Sequence, residues 1–207
     1  MFDLYVITDE SLSKGRSNVE IARMAYEGGA DVVQLRMKGA SKEDMLRDAL
    51  KIKEIADDYN RFFIVNDSVE VALESGADGV HLGQSDMPLE EAIDILGHRA
   101  IIGISANTVE KAVEAEQGGA SYIGVGAIFK TSTKPDATQG IGLDAIFRIR
   151  QAVDIPIVAI GGINQGNIQE VIRAGADSAA VVSAVVSKDD VVKAAHDLRD
   201  LILKARL

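Results

Sequence analysis

"GGADVVQLR", residues 28–36, points to the fold because close variants of it recur three more times along the chain. The other copies are SGADGVHLG from residue 75, GGASYIGVG from residue 118 and AGADSAAVV from residue 174. Each copy follows a helical pattern, and its glycine is typical of the left-handed residue that ends a helix. The β-branched apolar run after the glycine predicts a buried parallel strand.

The spacing of the copies predicts eight strands. The copies lie roughly 50 residues apart, about twice the length of one strand–helix unit in a barrel of this size, so each copy marks every second unit. The predicted strands cover residues 3–8, 31–36, 61–66, 78–82, 100–105, 121–125, 156–161 and 178–183, and a helical pattern follows each one. Clear helical patterns cover residues 41–56, 89–96 and the end of the chain from about residue 189.

This alternation predicts an α/β fold, a single (β/α)8 TIM barrel that covers residues 1–207 as one catalytic domain. No Pro-rich or Ser-rich linker divides the chain. An open, doubly wound sheet is the structural alternative, and the regularity of the repeat favours the closed barrel.

Composition excludes several classes of function. The 207 residues are 47% apolar and 26% charged, which is typical of a globular protein. The net charge of −10 and the lack of a basic run argue against nucleic-acid binding. No apolar run approaches the roughly 20 residues of a membrane span. The absence of cysteine excludes disulfides and cysteine nucleophiles. MFDLYVITDE lacks a basic leader, so we expect a cytoplasmic protein.

Polar side chains cluster at the predicted carboxyl ends of the strands, where barrel enzymes place their active sites. They are Gln34, Arg36, Lys38, Asn66, Asp67, Gln84, Asp86, Ser105, Thr131, Ser132, Thr133, Lys134, Asp136 and Ser183, accompanied by Gly83, Gly161 and Gly162. The two-residue period of a strand predicts that Gln34, Arg36 and Lys38 share one side. Such residues at several strand ends predict one common site.

The charges of this set predict a site for an anion and a metal. Arg36, Lys38 and Lys134 are cationic, whereas Asp67 and Asp86 are acidic. Magnesium is typically bound by one or two carboxylates together with substrate phosphates and water. A diphosphate that chelates Mg²⁺ would therefore use all five groups, and Arg36 could bind phosphate oxygens bidentately.

A second phosphate site is predicted near the last two strands. Gly161 and Gly162 permit a close backbone approach, and Ser183 follows at the next strand end. Loops in these positions often form a phosphate cradle in barrels.

Each of these residues also has a structural interpretation when it is taken singly. Asp67 could cap the helix that starts near Ser68, and Asp86 could cap the next helix. Arg36 and Lys38 could form a solvated strand end, while Gly161-Gly162 and Lys134-Pro135-Asp136 could be turns. His81 fits barrel filler and site lining equally, so it receives no role, and His98 and His196 are expected on the surface.

Taken in order, the motifs resemble those of the thiamine-phosphate synthase family over nearly the whole chain. The motifs are YVITD from Tyr5, QLRMK, ND, ADGVHLGQSD, GISA, TSTKPDA, AIGGI and VVSAV. The resemblance implies a transferase that joins a hydroxymethylpyrimidine diphosphate to a thiazole phosphate, releasing pyrophosphate. The two substrates are the implied partners, Mg²⁺ is the implied cofactor, and homo-oligomer formation is left open.

The resemblance also implies roles for individual residues. The pyrimidine diphosphate would contact Gln34, Leu35, Arg36, Met37, Lys38, Asn66, Ser105 and Lys134, with Arg36, Lys38, Ser105 and Lys134 acting in catalysis. Asp67 and Asp86 would bind the metal. The thiazole phosphate would contact Thr131, Ser132, Thr133, Gly162, Val182 and Ser183.

One segment departs from the family pattern, which commonly reads GPIFPTxTK after the sixth strand. Here Ala127 and Lys130 replace the usual prolines. A related thiazole tautomerase is the nearest competing function, but its relatives carry a histidine at the position of Ala127 and usually lack the paired aspartates. A sugar-phosphate or indole-phosphate isomerase would share the glycine loop without explaining Asp67 and Asp86. A ligand-binding regulator without catalysis would not need Lys134 and both aspartates.

Overall fold

Eight parallel strands close into a barrel in the computed structural model, which describes residues 2–131 and 140–207. The strands are β1 (Leu4–Ile7), β2 (Val32–Leu35), β3 (Phe62–Asn66), β4 (Gly79–Leu82), β5 (Ile101–Ser105), β6 (Tyr122–Gly126), β7 (Ile157–Ile160) and β8 (Ser178–Val181). Neighbours in sequence are neighbours in the sheet, and β8 pairs with β1. The predicted (β/α)8 barrel is therefore confirmed over the open sheet.

Helices follow the strands and cover the outside of the barrel. They are α1 (Asn18–Glu27), α2 (Lys42–Tyr59), α3 (Val69–Ser75), α4 (Leu89–Leu96), α5 (Val109–Gln117), α6 (Leu143–Arg150), α7 (Ile168–Arg173), α8 (Ser183–Val186) and α9 (Val191–Ala205). The prediction of a strand through residue 183 is wrong at its end, because β8 stops at Val181 and Ser183 begins α8. No helix in residues 2–131 and 140–207 is both long and apolar enough to cross a bilayer.

The apolar core has two layers. Alternate side chains of each strand point outward and pack against the helices, as Val33, Leu35, Phe63 and Val65 do. The other set points into the barrel, where Tyr5, Tyr122 and smaller aliphatic residues form a separate cluster. This alternation decides which residues of a strand can reach the interior and which cannot.

The repeated phrase has a second role that the sequence pattern did not predict: its polar residue binds the neighbouring strand. Asp31 Oδ2 accepts a hydrogen bond from Leu4 N at 3.2 Å, and Asp78 Oδ2 accepts one from Phe63 N at 2.8 Å. In the other two copies, Ser121 Oγ accepts from Ile102 N at 3.0 Å and Asp177 Oδ2 accepts from Ile157 N at 2.8 Å. The four copies thus join the strands in pairs, β1 to β2, β3 to β4, β5 to β6 and β7 to β8.

Basic side chains reinforce the three carboxylates of this set. Arg61 pairs with Asp31 at 2.7 Å, Lys53 with Asp78 at 3.2 Å and Arg150 with Asp177 at 2.9 Å. The glycines of the phrase, Gly29, Gly76, Gly119 and Gly175, all have positive φ, as predicted for the residue after a helix. The amino-terminal end of the barrel is thus held by side-chain bonds to strand backbones.

Asp78→Ala should lower the free energy of unfolding by about 1–3 kcal/mol, because it leaves the buried Phe63 N–H without its acceptor. Asp57→Ala is the matched control, since Asp57 pairs with the same Lys53 at 2.7 Å but its side chain is 63% exposed. That change should stay within about 0.5 kcal/mol. Denaturant unfolding of both variants measures the difference, and equal losses would show that the strand contact contributes nothing.

Candidate active site

The predicted site residues lie around one rim, because a closed parallel barrel brings all its carboxyl-terminal strand ends together. The described members of the set follow β2, β3, β4, β5, β6, β7 and β8. Ser132, Thr133, Lys134 and Asp136 lie outside the described residues, so these four members of the set have no structural account. Thr131 directly precedes them and is half-buried.

Gln34 and Leu35 occupy opposite sides of β2. Gln34 is buried, and its Nε2 donates a hydrogen bond to Tyr5 Oη at 2.8 Å inside the barrel. Leu35 is buried in the outer layer against the helices. The side chain of Gln34 therefore faces the interior, whereas Leu35 can present only its backbone to the rim.

Arg36 is held at the rim by an acidic partner for which the sequence suggested no role. Arg36 Nη1 lies 3.2 Å from Asp9 Oδ2, and both side chains are largely buried. Asp9 also accepts a hydrogen bond from Ser11 N at 3.0 Å, which fixes the loop after β1. Asp9 is the last residue of the YVITD motif, and that motif is the sequence signal that could have identified Asp9 as a site residue.

Arg36 and Lys38 both lie beyond the end of β2. The strand ends at Leu35, Arg36 follows it directly, and Lys38 lies in an exposed turn three residues after the strand end. Strand alternation therefore does not extend to Arg36 or Lys38, and a shared side for Gln34, Arg36 and Lys38 stays a prediction. Met37 lies between them and is half-buried.

Asp67 follows Asn66 directly after β3 and adopts a left-handed backbone, with φ of 64°. Its N–H donates to His81 O at 2.9 Å, which ties it to the neighbouring strand. The helix cap is Ser68, whose side chain accepts from Val71 N, so the interpretation of Asp67 as the cap is wrong. Left-handed backbone at a non-glycine residue is costly and is concentrated at functional sites.

Asp86 lies on the loop after β4. Its Oδ2 accepts a hydrogen bond from Gly83 N at 2.6 Å, and the following helix begins at Leu89 without a side-chain cap. Asp86 is thus not a helix cap either. Because β3 and β4 are paired neighbours, the two aspartates extend from adjacent positions on the rim.

Ser105 ends β5 and connects the rim to the barrel interior. Its Oγ lies 3.0 Å from His81 Nε2, and its carbonyl accepts from Gln84 Nε2 at 2.7 Å. His81 Nδ1 lies 3.0 Å from Tyr122 Oη. Burial raises the pKa of Tyr122 well above its ordinary value, so this hydroxyl stays neutral. His81 therefore contacts both the barrel interior and the predicted site residue Ser105.

The ends of β7 and β8 are shaped by close packing. Gly162 has φ of 67°, and a Cβ there would lie 2.8 Å from both Lys130 O and Phe129 Cβ. Its carbonyl accepts hydrogen bonds from Asn164 Nδ2 at 3.2 Å and Asn167 Nδ2 at 3.0 Å. Val182 precedes α8, whose first residue is the exposed Ser183. Position 162 therefore requires glycine because the loop after β6 packs against it, independently of any ligand.

Comparison with known proteins decides the family. A sequence model described as thiamine monophosphate synthase matches residues 4–185, a range that contains every predicted site residue. The chain belongs to the thiamine monophosphate synthase family. The thiamine-phosphate synthase of Methanocella arvoryzae is 52% identical over 206 residues, covering 100% of this chain and 97% of that protein. The thiamine-phosphate synthase of Chloroflexus aurantiacus is also 52% identical, covering 96% and 92%.

A solved structure supports the same family. Thiamine phosphate pyrophosphorylase from Pyrococcus furiosus superimposes with a TM-score of 0.91 at 43% identity, covering 99% of this chain and 96% of that one. The predicted family is therefore confirmed, and with it the enzyme class: the chain is a transferase of thiamine biosynthesis.

Gly162→Ala should destabilise the protein more than Gly76→Ala. Both glycines have φ of 67°, but a Cβ at Gly76 meets nothing within 4 Å. Gly76→Ala therefore measures the left-handed backbone alone, about 1–2 kcal/mol. The close contacts at Gly162 add an overpacking cost of about 1–3 kcal/mol. Thermal unfolding of the two variants measures the difference in stability. Equal destabilisation would mean that the loop after β6 moves away from the added Cβ without cost.

Proposed function

We propose that this enzyme joins 4-amino-2-methyl-5-(diphosphooxymethyl)pyrimidine to 4-methyl-5-(2-phosphoethyl)thiazole, supplied as its carboxylate or in decarboxylated form. The products are thiamine phosphate and pyrophosphate, with carbon dioxide in the first case. The observation that carries the proposal is the family match over residues 4–185, which spans both predicted phosphate sites. The near-complete coverage of relatives named thiamine-phosphate synthase supports it.

The proposed reaction is a dissociative substitution. The bond between the pyrimidine methylene carbon and the diphosphate oxygen breaks, and its electron pair leaves on the diphosphate. The electron-rich aminopyrimidine stabilises the resulting carbocation, and the thiazole nitrogen then uses its lone pair to form the new C–N bond. No protein nucleophile takes part, which agrees with a chain that contains no cysteine.

The protein's task in this reaction is to stabilise charge on the leaving diphosphate and to position the two rings. Arg36, which pairs with Asp9, would donate to phosphate oxygens at the rim. Lys38 and Lys134 would add positive charge, and Ser105 would add a neutral donor. Gln34 and Asn66 would orient the pyrimidine from β2 and β3.

Asp67 and Asp86 fit the proposed magnesium site by the chemistry of their donors. They present two hard carboxylates from adjacent loops, the number that a Mg²⁺–diphosphate complex typically receives from protein. Within the described ranges no group of three or more His, Cys, Asp or Glu could hold a metal, so a complete protein cage is not offered there. Bound Mg²⁺ would neutralise charge that builds on the leaving diphosphate.

The thiazole phosphate is proposed to bind across β6, β7 and β8. Gly162 offers a backbone close to the rim, and Val182 and Ser183 lie at the start of α8. Hydroxyls of Thr131, Ser132 and Thr133 would complete the set. Lys130, which replaces the usual proline, adds a positive charge beside this group.

The direct test incubates the protein with the pyrimidine diphosphate, the thiazole phosphate and MgCl₂, and follows thiamine phosphate and pyrophosphate by chromatography. Stoichiometric formation of both products is expected. Isomerisation of the thiazole carboxylate without coupling would instead indicate the tautomerase. Tight binding of a ligand without turnover would indicate a regulator.

Asp67→Asn should reduce turnover by about 100-fold and raise the Mg²⁺ concentration that gives half-maximal rate. Asparagine tolerates the left-handed backbone, so the fold should be retained. Asp58→Asn, an exposed change at the end of α2, is the matched control and should leave both quantities unaltered. Chelation with EDTA should abolish activity reversibly. Turnover near the unmutated level in Asp67→Asn, with an unchanged Mg²⁺ requirement, would refute the metal assignment.

A further inference from the structure

A continuous chain of side-chain hydrogen bonds crosses the barrel from β2 to the rim. Gln34 Nε2 lies 2.8 Å from Tyr5 Oη, and Tyr5 Oη lies 2.9 Å from Tyr122 Oη. Tyr122 Oη lies 3.0 Å from His81 Nδ1, and His81 Nε2 lies 3.0 Å from Ser105 Oγ. A buried amide is thereby linked through three rings to a hydroxyl at the proposed substrate site. We call these five residues the barrel relay.

Two strand glycines leave space inside the barrel for the Tyr122 and His81 rings of the relay. A Cβ at Gly103 of β5 would lie 2.1 Å from the Tyr122 ring, and one at Gly124 of β6 would lie 2.8 Å from the His81 ring. The two rings stack with centroids 5.5 Å apart. Glycine in a strand interior weakens the strand and often marks a close approach. β5 and β6 each have a glycine at the position where a larger residue would clash with one of the two rings.

The relay has a direction. The Gln34 amide donates to Tyr5 Oη, and the acceptor in the relay for the one hydrogen of the Tyr5 hydroxyl is Tyr122 Oη. In this order the Tyr122 hydroxyl accepts from Tyr5 and donates its own hydrogen to His81 Nδ1, 3.0 Å away. Leaving a buried hydroxyl hydrogen unused would cost free energy, which favours this order. Burial also raises the pKa of Tyr5, so both phenols remain protonated donors.

This direction determines what Ser105 can offer. A neutral imidazole that accepts at Nδ1 carries its hydrogen on Nε2, so His81 donates to Ser105 Oγ. The hydroxyl hydrogen of Ser105 is then available for a bond outward. In the opposite tautomer Ser105 would donate to the ring and would present only lone pairs, which repel a phosphate oxygen.

We propose that Tyr122 and His81 are positioning residues that hold the Ser105 hydroxyl as a hydrogen-bond donor to the leaving diphosphate. This inference rests on the proposed function for the identity of the acceptor. The hydrogen-bond geometry, the stacked rings and the glycine clearance support it independently of that identity. Ser105 is the group that touches the substrate, and the other two act through it.

The tautomer of His81 is a direct test that needs no substrate. Nitrogen-15 NMR of histidine-labelled protein should show His81 protonated on Nε2 and bare on Nδ1 near neutral pH. His98→Gln and His196→Gln, both at exposed positions, remove the other two imidazole signals and leave His81 assigned. A proton on Nδ1 with a bare Nε2 in the unmutated protein would overturn the proposal.

Tyr122→Phe should disturb the relay, and Tyr26→Phe is its matched control. Both tyrosines are 2% exposed and each substitution removes one buried hydroxyl. The Tyr122 hydroxyl bonds to Tyr5 and His81 within the relay, whereas Tyr26 Oη donates to Phe62 O at 2.8 Å outside it. Tyr122→Phe should mix the two His81 tautomers and slow single-turnover loss of diphosphate about fivefold, the effect of losing roughly one hydrogen bond. The KM for the thiazole phosphate should not change.

The control separates this role from a structural one. Tyr26→Phe should also lower stability, because it removes a buried hydroxyl bond, yet keep the His81 tautomer and the single-turnover rate. If Tyr122→Phe leaves the rate unchanged, or if Tyr26→Phe slows it equally, the positioning role is wrong. Lack of product with the unmutated protein would refute the proposed function and this catalytic role together, whereas the NMR result would still decide the direction of the relay.

Discussion

The pairing of β8 with β1 is the constraint on which the rest of the structure depends. Leu4, Tyr5 and Val6 align with Ala179, Ala180 and Val181, and this pairing turns a row of parallel strands into a ring. A closed parallel ring leaves no sheet edge unpaired and brings every carboxyl-terminal strand end to one rim. Residues scattered from β2 to β8 thereby become neighbours, which is why one site can draw on almost the whole chain.

The two ends of the ring carry different chemistry. At the amino-terminal end, acidic side chains bind strand N–H groups and basic partners, so charge there is matched within the protein. At the carboxyl-terminal rim, Asp67 keeps a left-handed backbone and Arg36 is held by the carboxylate of Asp9. A left-handed non-glycine backbone costs free energy and persists where the surrounding structure holds it, as the bond from Asp67 N to His81 O does.

The interior of the ring is not uniformly apolar. Tyr5, Tyr122 and His81 form a polar line through a cluster that otherwise consists mostly of aliphatic side chains. Buried hydroxyls in such a line are stabilised only when each one has a partner, so the line is rigid and directional. It gives the core a means of fixing the donor or acceptor state of a group at the rim.

Local sequence determined the elements of this protein, and tertiary structure determined how its polar groups pair. The pattern of a glycine after a helix followed by a β-branched run lies within about ten residues, so it can be recognised in the sequence. The eight strands, the helix at Leu89–Leu96 and the family resemblance could therefore be predicted from the sequence. Hydrogen bonds depend on register and closure instead. Tyr5 and Tyr122 are 117 positions apart, and Asp9 and Arg36 are 27 apart. No short-range pattern encodes these contacts, because they form only when the ring fixes which side chains face each other.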